Sequence, residues 1–375
     1  MNLEFHLPFP VRFRLFRRDM EHRGRNLLLA GLRAILLRRE PRASREINPS
    51  LFSKVLIIRT GKALGDALQS LILIPECRRL FPNARLDLML RDNISPLFQY
   101  GTGAGNILVF HPRFLSHPLA MLHLLRQLRR ERYDAVIACD NAFKSSFTTL
   151  CLALWTGARC RAGFDNEESR AFLSHPVAPS RPDPMISNLL RLLSPFGKTP
   201  ADAIPTLRPD PALASETARL FRPLKRPALI FAPHHWRKSW PLEAFLRIGE
   251  RLLAEKIPVL LALGPGDPRA DDPALRQWLA AAPDLARLVP PQPLPAFASL
   301  LSQCRLFVSN DCGPYHLAAA VGIPCVAAFL SADNCHYFGY HLPGRLIALH
   351  HPEQIEAERA VAAACLGLPG VRETA

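Results

Sequence analysis

Val55-Leu56-Ile57-Ile58 is a continuous apolar run, broken within a few residues by Gly61 and Gly65, after which Leu64, Leu68, Leu71 and Ile72 recur at helical spacing. A run apolar at every position suits a strand buried on both faces, and such strands belong to parallel sheets covered by helices. The unit repeats along the chain. Further runs at residues 86–90, 107–110, 135–139 and 160–163 alternate with helix-like segments at 119–132 and 146–155. Residues 194–227 are rich in Pro and Ala, carry only a short helical piece, and predict a linker. The alternation then restarts, with strand patterns at 228–232, 259–263, 306–309 and 326–329 and helical ones at 242–254 and 297–302.

The pattern predicts an α/β protein of two Rossmann-like domains facing a cleft. The length agrees, because a single core stops growing at about 250–300 residues and this chain has 375. The expected layout is a basic extension at 1–50, a first domain at 51–205, a second at 206–345, and a helical tail at 346–375 that packs back on the first domain.

Net charge is +15, and such an excess of cation attracts nucleic acid, an anionic membrane or phosphorylated substrates. Eleven of the arginines fall within residues 1–50 against five carboxylates, which places part of the surplus in a surface leader. No recognisable nucleic-acid-reading module occurs, so nucleic acid is not expected as a partner. In the leader, Leu28, Leu32, Ile35 and Leu36 form an apolar stripe flanked by Arg23, Arg25, Arg38 and Arg39. That pattern suits a membrane interface, and it equally suits a helix packed on the first domain. The longest apolar stretch, 26–37, is interrupted by Arg33 and falls short of the roughly 20 residues a membrane span needs. Nine scattered cysteines without a C-x-x-C pair are neither a disulfide nor a zinc framework. A cytoplasmic location is the expectation.

Three constellations carry chemistry. Arg59-Thr60-Gly61-Lys62-Ala63-Leu64-Gly65-Asp66 lies between a strand and a helix, where α/β sheets bind ligands. Asp66 there reads as an N-cap or as a general base facing the cleft, and Lys62 as a solvated cation or a contact for an anionic substrate. The Walker order is absent. Ser309-Asn310-Asp311-Cys312-Gly313-Pro314-Tyr315-His316 opens a helix whose amide N–H groups and dipole suit a phosphate, although a structural capped turn shares these features. His234-His235-Trp236-Arg237-Lys238-Ser239-Trp240-Pro241 gathers donors for a diphosphate or forms an exposed basic turn. No D-x-D motif occurs, and no carboxylate or cysteine spacing makes the histidines a metal site. Neither a metal nor a cofactor is therefore expected.

At these residues the sequence resembles the lipopolysaccharide heptosyltransferases, the ADP-heptose transferases of glycosyltransferase family 9. Ile58-Arg59 through Gly65-Asp66 is similar to the family's I-R-x-x-x-x-G-D, and Tyr133-Asp134-Ala135-Val136-Ile137 through Lys144-Ser145 to its Y-D-x-V-I…K-S. Arg161-Ala162-Gly163-Phe164 resembles R-x-G-F, Lys238-Ser239-Trp240-Pro241 resembles K-x-W-P, and 309–319 resembles S-N-D-[ST]-G-x-x-H-x-A-A. The resemblance covers about residues 54–329.

What the resemblance implies is a glycosyltransferase B-type fold and an inverting, metal-independent transfer of a heptose-like sugar. The donor would be an ADP-sugar and the acceptor a lipopolysaccharide-type glycan or glycolipid, met at the inner face of the cytoplasmic membrane. Asp66 would be the base. Lys238, Asp311, Cys312, Gly313, His316 and Asp267 would hold the donor, and Lys62 and Lys144 the acceptor. The sequence departs from the pattern at Cys312, which replaces a hydroxyl residue, at Asp267, where the family places Glu, and at Leu330-Ser331-Ala332-Asp333, which replaces G-P-T-D. Two other functions stay open: a transferase or epimerase using another nucleotide sugar, and a degenerate, non-catalytic sugar-nucleotide binder.

Overall fold

In the computed structural model, which describes residues 47–112, 117–197, 204–234, 239–351, 353–369 and 371, the apolar runs become strands buried along nearly their whole length. Val55 and Ile57 of β1 (Lys54–Arg59) point to one side of the sheet, while Leu56 and Ile58 point to the other, so both faces demand cover.

The first sheet holds β1, β2 (Arg85–Arg91), β3 (Ile107–Phe110), β4 (Ala135–Ala138), β5 (Cys160–Phe164) and β6 (His175–Val177), all parallel, in the order β3-β2-β1-β4-β5-β6. The second holds β7 (Ala228–Ala232), β8 (Val259–Leu263), β9 (Ala286–Val289), β10 (Leu306–Asn310), β11 (Cys325–Phe329) and β12 (Leu346–His350), again parallel, in the order β12-β11-β10-β7-β8-β9. Each is the doubly wound arrangement of a dinucleotide-binding fold. Each reverses strand direction of travel once, at β1/β4 and at β7/β10.

Helices fill three layers. Between the sheets lie α1 (Leu64–Gln69), α2 (Leu73–Leu80), α3 (Ser95–Phe98), α6 (Met185–Arg191), α10 (Leu294–Ser302) and α11 (Gly313–Val321). Their apolar side chains form one continuous cluster that joins Val55 and Ile57 of the first sheet to Leu229 and Phe307 of the second. The outer face of the first sheet is covered by α4 (Pro118–Glu131) and α5 (Phe147–Trp155). The second is covered by α8 (Leu242–Ala254), α9 (Pro273–Ala281) and α13 (Gln354–Gly367). Two short helices, α7 (Ala214–Ala218) and α12 (Ala332–Phe338), complete the set among the described residues.

One expectation is overturned here. The tail is helical, but it packs on the second half: Ala357, Val361 and Cys365 repeat every four residues and bury against β11 and α8, not against the first domain. Arg247 of α8 grips Glu358 of α13 through two 2.8 Å bonds. Residues 346–350 are themselves the last strand of the second sheet. The leader and its apolar stripe lie outside the described residues. Among those described, no helix is long and apolar enough to cross a membrane.

Candidate active site

In doubly wound sheets, ligands bind in the crevice at the carboxyl ends of the strands where the order reverses. In the first sheet that crevice is lined by the ends of β1 and β4. Arg59 closes β1 with its side chain buried, and its Nη1 donates to the Cys139 carbonyl at 2.8 Å. Its Nη2 donates to Asp66 Oδ2. Asp66 sits in the first turn of α1, whose N-cap is Ala63, so the carboxylate is not spent on capping. One of its oxygens is held by Arg59, while no hydrogen bond engages the other among the described residues.

Behind this pair lies Asp140, just past β4. Burial pushes its carboxyl up to about 6, against the opposing pull of the Ser146 N–H at 2.9 Å, the nearby Arg59 guanidinium and the Thr149 hydroxyl at 3.1 Å. Thr149 in turn meets the Thr60 hydroxyl at 2.9 Å, tying the ends of β1 and β4 together.

The matching crevice of the second sheet lies between β7 and β10. Asn310 is fully buried, donates to the Ala328 carbonyl at 3.0 Å and accepts the Trp240 N–H at 2.9 Å. It thereby fixes where the chain resumes after the basic turn. Ser309 donates to the Phe231 carbonyl at 2.8 Å and lies 3.2 Å from Cys312 Sγ. Burial pushes the Cys312 thiol up to about 12, so it stays protonated. Cys312 is also the N-cap of α11, but its side chain makes no cap bond, as expected of sulfur in place of a hydroxyl.

The halves meet at these same helix starts. A Cβ on Gly65 would lie 2.6 Å from His316 Cδ2, and one on Gly313 would lie 3.0 Å from Leu64 Cβ. Only glycine at both positions lets α1 and α11 approach this closely. The His316 ring is buried in this contact, with Nδ1 3.0 Å from the Tyr340 hydroxyl. Asp66, next to Gly65, and the start of α11 therefore lie side by side.

The model of glycosyltransferase family 9 (heptosyltransferase) matches residues 121–364, well over half of the chain. The chain belongs to this family. It is 26% identical over 286 residues to lipooligosaccharide heptosyltransferase 2 of Haemophilus influenzae, covering 71% of this chain and 80% of that one. It is 23% identical to an Escherichia coli lipopolysaccharide heptosyltransferase 3, covering 72% and 82%. Among solved structures, a family 9 glycosyltransferase from Veillonella parvula superposes with a TM-score of 0.67 at 16% identity, covering 87% and 92% of the two chains. The E. coli ADP-heptose lps heptosyltransferase II superposes at 0.63 and 21%, covering 83% and 98%. The fold is the glycosyltransferase B type, and the protein is a glycosyltransferase.

The remaining expected residues of this family 9 glycosyltransferase are placed as follows. Lys62 and Lys144 are exposed on the loops after β1 and β4, with no side-chain partner among the described residues. Asp311 is half-buried beside Cys312. Lys238 lies outside the described residues. The Asp267 carboxylate, expected at the donor, is only 2% exposed and is committed to Arg269, whose fork it receives at 2.6–3.2 Å. That grip holds Asp267 below the usual carboxylate range, with burial opposing it. His234, which follows β7, is exposed and has its Nδ1 3.7 Å from Asp267. Among the described residues, no group of three or more His, Cys, Asp or Glu side chains gathers as a metal site.

Several residues escaped the sequence reading. Phe143 follows β4 at the rim, with Arg181 stacked over its ring at 4.8 Å and Tyr337 of α12 at 6.0 Å. Burial pushes the Tyr337 hydroxyl up to about 12, and the Asp66 charge adds to the rise. Asp140 carried a signal: it directly follows a strand run. Phe143 and Tyr337 come from opposite halves, and no local pattern pairs them.

A groove of about 820 Å³ between α8 and α9, lined by Glu243, Arg247 and Trp278, lies on the outer face of the second sheet, away from these strand ends.

Proposed function

We propose that this glycosyltransferase moves a heptose from an ADP-sugar onto a lipopolysaccharide-type glycan or glycolipid, with inversion and without a metal ion, at the inner face of the cytoplasmic membrane. The reading is supported by the names of its relatives, which are heptosyltransferases of lipooligosaccharide and lipopolysaccharide, and by a fold neighbour solved with ADP-2-deoxy-2-fluoro heptose. The observation that carries it is the abutment of α1 on α11. It brings a carboxylate with one open oxygen beside a helix start without a side-chain cap.

In the proposed step, the acceptor hydroxyl gives its proton to Asp66 as its oxygen bonds to the anomeric carbon. The bond from that carbon to the diphosphate oxygen breaks on the opposite face, and ADP leaves. Arg59 keeps the carboxylate in place. Lys238 and the N–H groups at the start of α11 neutralise the charge that grows on the leaving diphosphate, where preorganised donors act most strongly. Lys62 and Lys144 lie on the side of the first half, suited to an anionic acceptor. His316 serves as the spacer that holds α11 against Gly65, and Asp311 borders the donor.

The test is calorimetry with ADP-, UDP- and GDP-sugars on the wild type and on Lys238→Ala. The expected result is selective binding of ADP-heptose that weakens in the variant. Preference for a UDP- or GDP-sugar, or an affinity unchanged by Lys238→Ala, would replace this reading with one of the alternatives.

A further inference from the structure

The outward stripe of α4 changes character along its length. Residues 119, 122, 123, 126, 129 and 130 recur at intervals that place them on one side of a helix, and each is exposed. Leu119 is 82% exposed and Leu122 38%, whereas Leu124 and Leu128, on the opposite side, are buried against the first sheet. After the leucines come Arg126, Arg129 and Arg130, all exposed. Arg132 and Arg159 lie exposed at the same end. The carboxylate of this helix, Glu131, is turned away to Lys54 at 2.9 Å and Arg85 at 2.5 Å.

Trp155 of α5 borders this stripe. It is half exposed, its indole N–H donates to the Leu125 carbonyl at 2.8 Å, and Arg129 reaches its carbonyl at 3.5 Å. An indole with its N–H satisfied and its ring in the open suits a membrane–water boundary. Leu119 and Leu122 are not part of the core clusters, and Arg126, Arg129 and Arg130 have no acidic partner among the described residues.

We infer that this face of α4, with Trp155, docks the protein on an anionic bilayer: Leu119 and Leu122 enter the acyl boundary, and the arginines lie among the headgroups. The charge complementarity favours anionic lipid, and an acyl boundary next to the headgroups accepts the two exposed leucines together with the arginines. In a parallel α/β sheet, helix N-termini lie at the carboxyl ends of the strands. The leucine end of α4 is thus on the side of Asp66 and Asp140, and docking turns the cleft mouth toward the membrane. That orientation fits a lipid-linked acceptor and rests on the reading above, whereas the docking itself does not.

The experiment uses the full chain with vesicles of phosphatidylcholine, with and without phosphatidylglycerol, and reads sedimentation together with amide hydrogen exchange. The wild type should sediment only with the anionic vesicles, with protection gained in residues 117–131. Leu119→Ser with Leu122→Ser should lower the bound fraction by about tenfold or more while ADP binding stays unchanged. Sedimentation of that double variant equal to wild type, or protection absent from 117–131, would overturn the proposal. Protection of α4 by soluble polyaspartate but by neither vesicle would overturn it in favour of an acidic protein partner. Loss of ADP-heptose transfer with vesicle docking intact would count against the reading of the site and not against the docking face.

Discussion

Asp140 shows what a single buried side chain imposes on this glycosyltransferase. Its carboxyl titrates near 6 in the folded chain because burial disfavours the anion, against an ordinary value of 3.8. Between those values the folded protein binds more protons than the unfolded one, so stability falls as pH rises from about 4 to 6, by at most about 3 kcal/mol. Above that window the loss is constant. Asp140→Asn removes the titration while an amide N–H can still meet Thr149. Denaturant melts of this variant should therefore show a flatter pH dependence between 4 and 6 than wild type, and parallel curves would show that Asp140 does not titrate there. The positions of Asp66, Lys62 and Gly313 just past strand ends were legible in sequence, because glycine-containing turns follow apolar runs there. The roles of Arg59, Asn310 and Tyr337 were not, because each depends on a partner far away in the chain: Cys139 for Arg59, Trp240 for Asn310 and Phe143 for Tyr337.

At the scale of elements, most continuous apolar runs were legible as strands, although Leu346–Leu349 of β12 was taken into the helical tail, and two other strands were missed because their patterns are broken. Pro176 interrupts β6, which tolerates it as an edge strand, and Arg287 interrupts the edge strand β9. The pairing of α1 with α11 was invisible, since it joins residues about 250 apart through the absence of side chains at Gly65 and Gly313. Gly65→Ala tests that pairing. In an ordinary helix this change would be neutral or stabilising, but here the added methyl meets the His316 ring at 2.6 Å. Separation of the two helix starts should lower kcat by about 10- to 100-fold, as small misplacements at reacting centres do, with the far-ultraviolet spectrum unchanged. Wild-type turnover would show that the spacing of α1 and α11 does not matter to transfer.

Across the whole molecule, the division into two Rossmann-like halves was legible from the restart of the strand pattern at residue 228. The attachment of the tail was not, because the small-residue face of α13 fits either sheet and only packing decides. The halves share one inner core, and the starts of α1 and α11 meet between them. The central claim is that Asp66 takes the proton from the acceptor. The most direct test is the single-turnover rate of heptose transfer from saturating ADP-heptose to a heptose-deficient lipopolysaccharide acceptor, compared between wild type and Asp66→Asn. The account predicts a rate lower by at least about 10²-fold, with the donor still bound and the variant folded. Transfer by Asp66→Asn at the wild-type rate would contradict it.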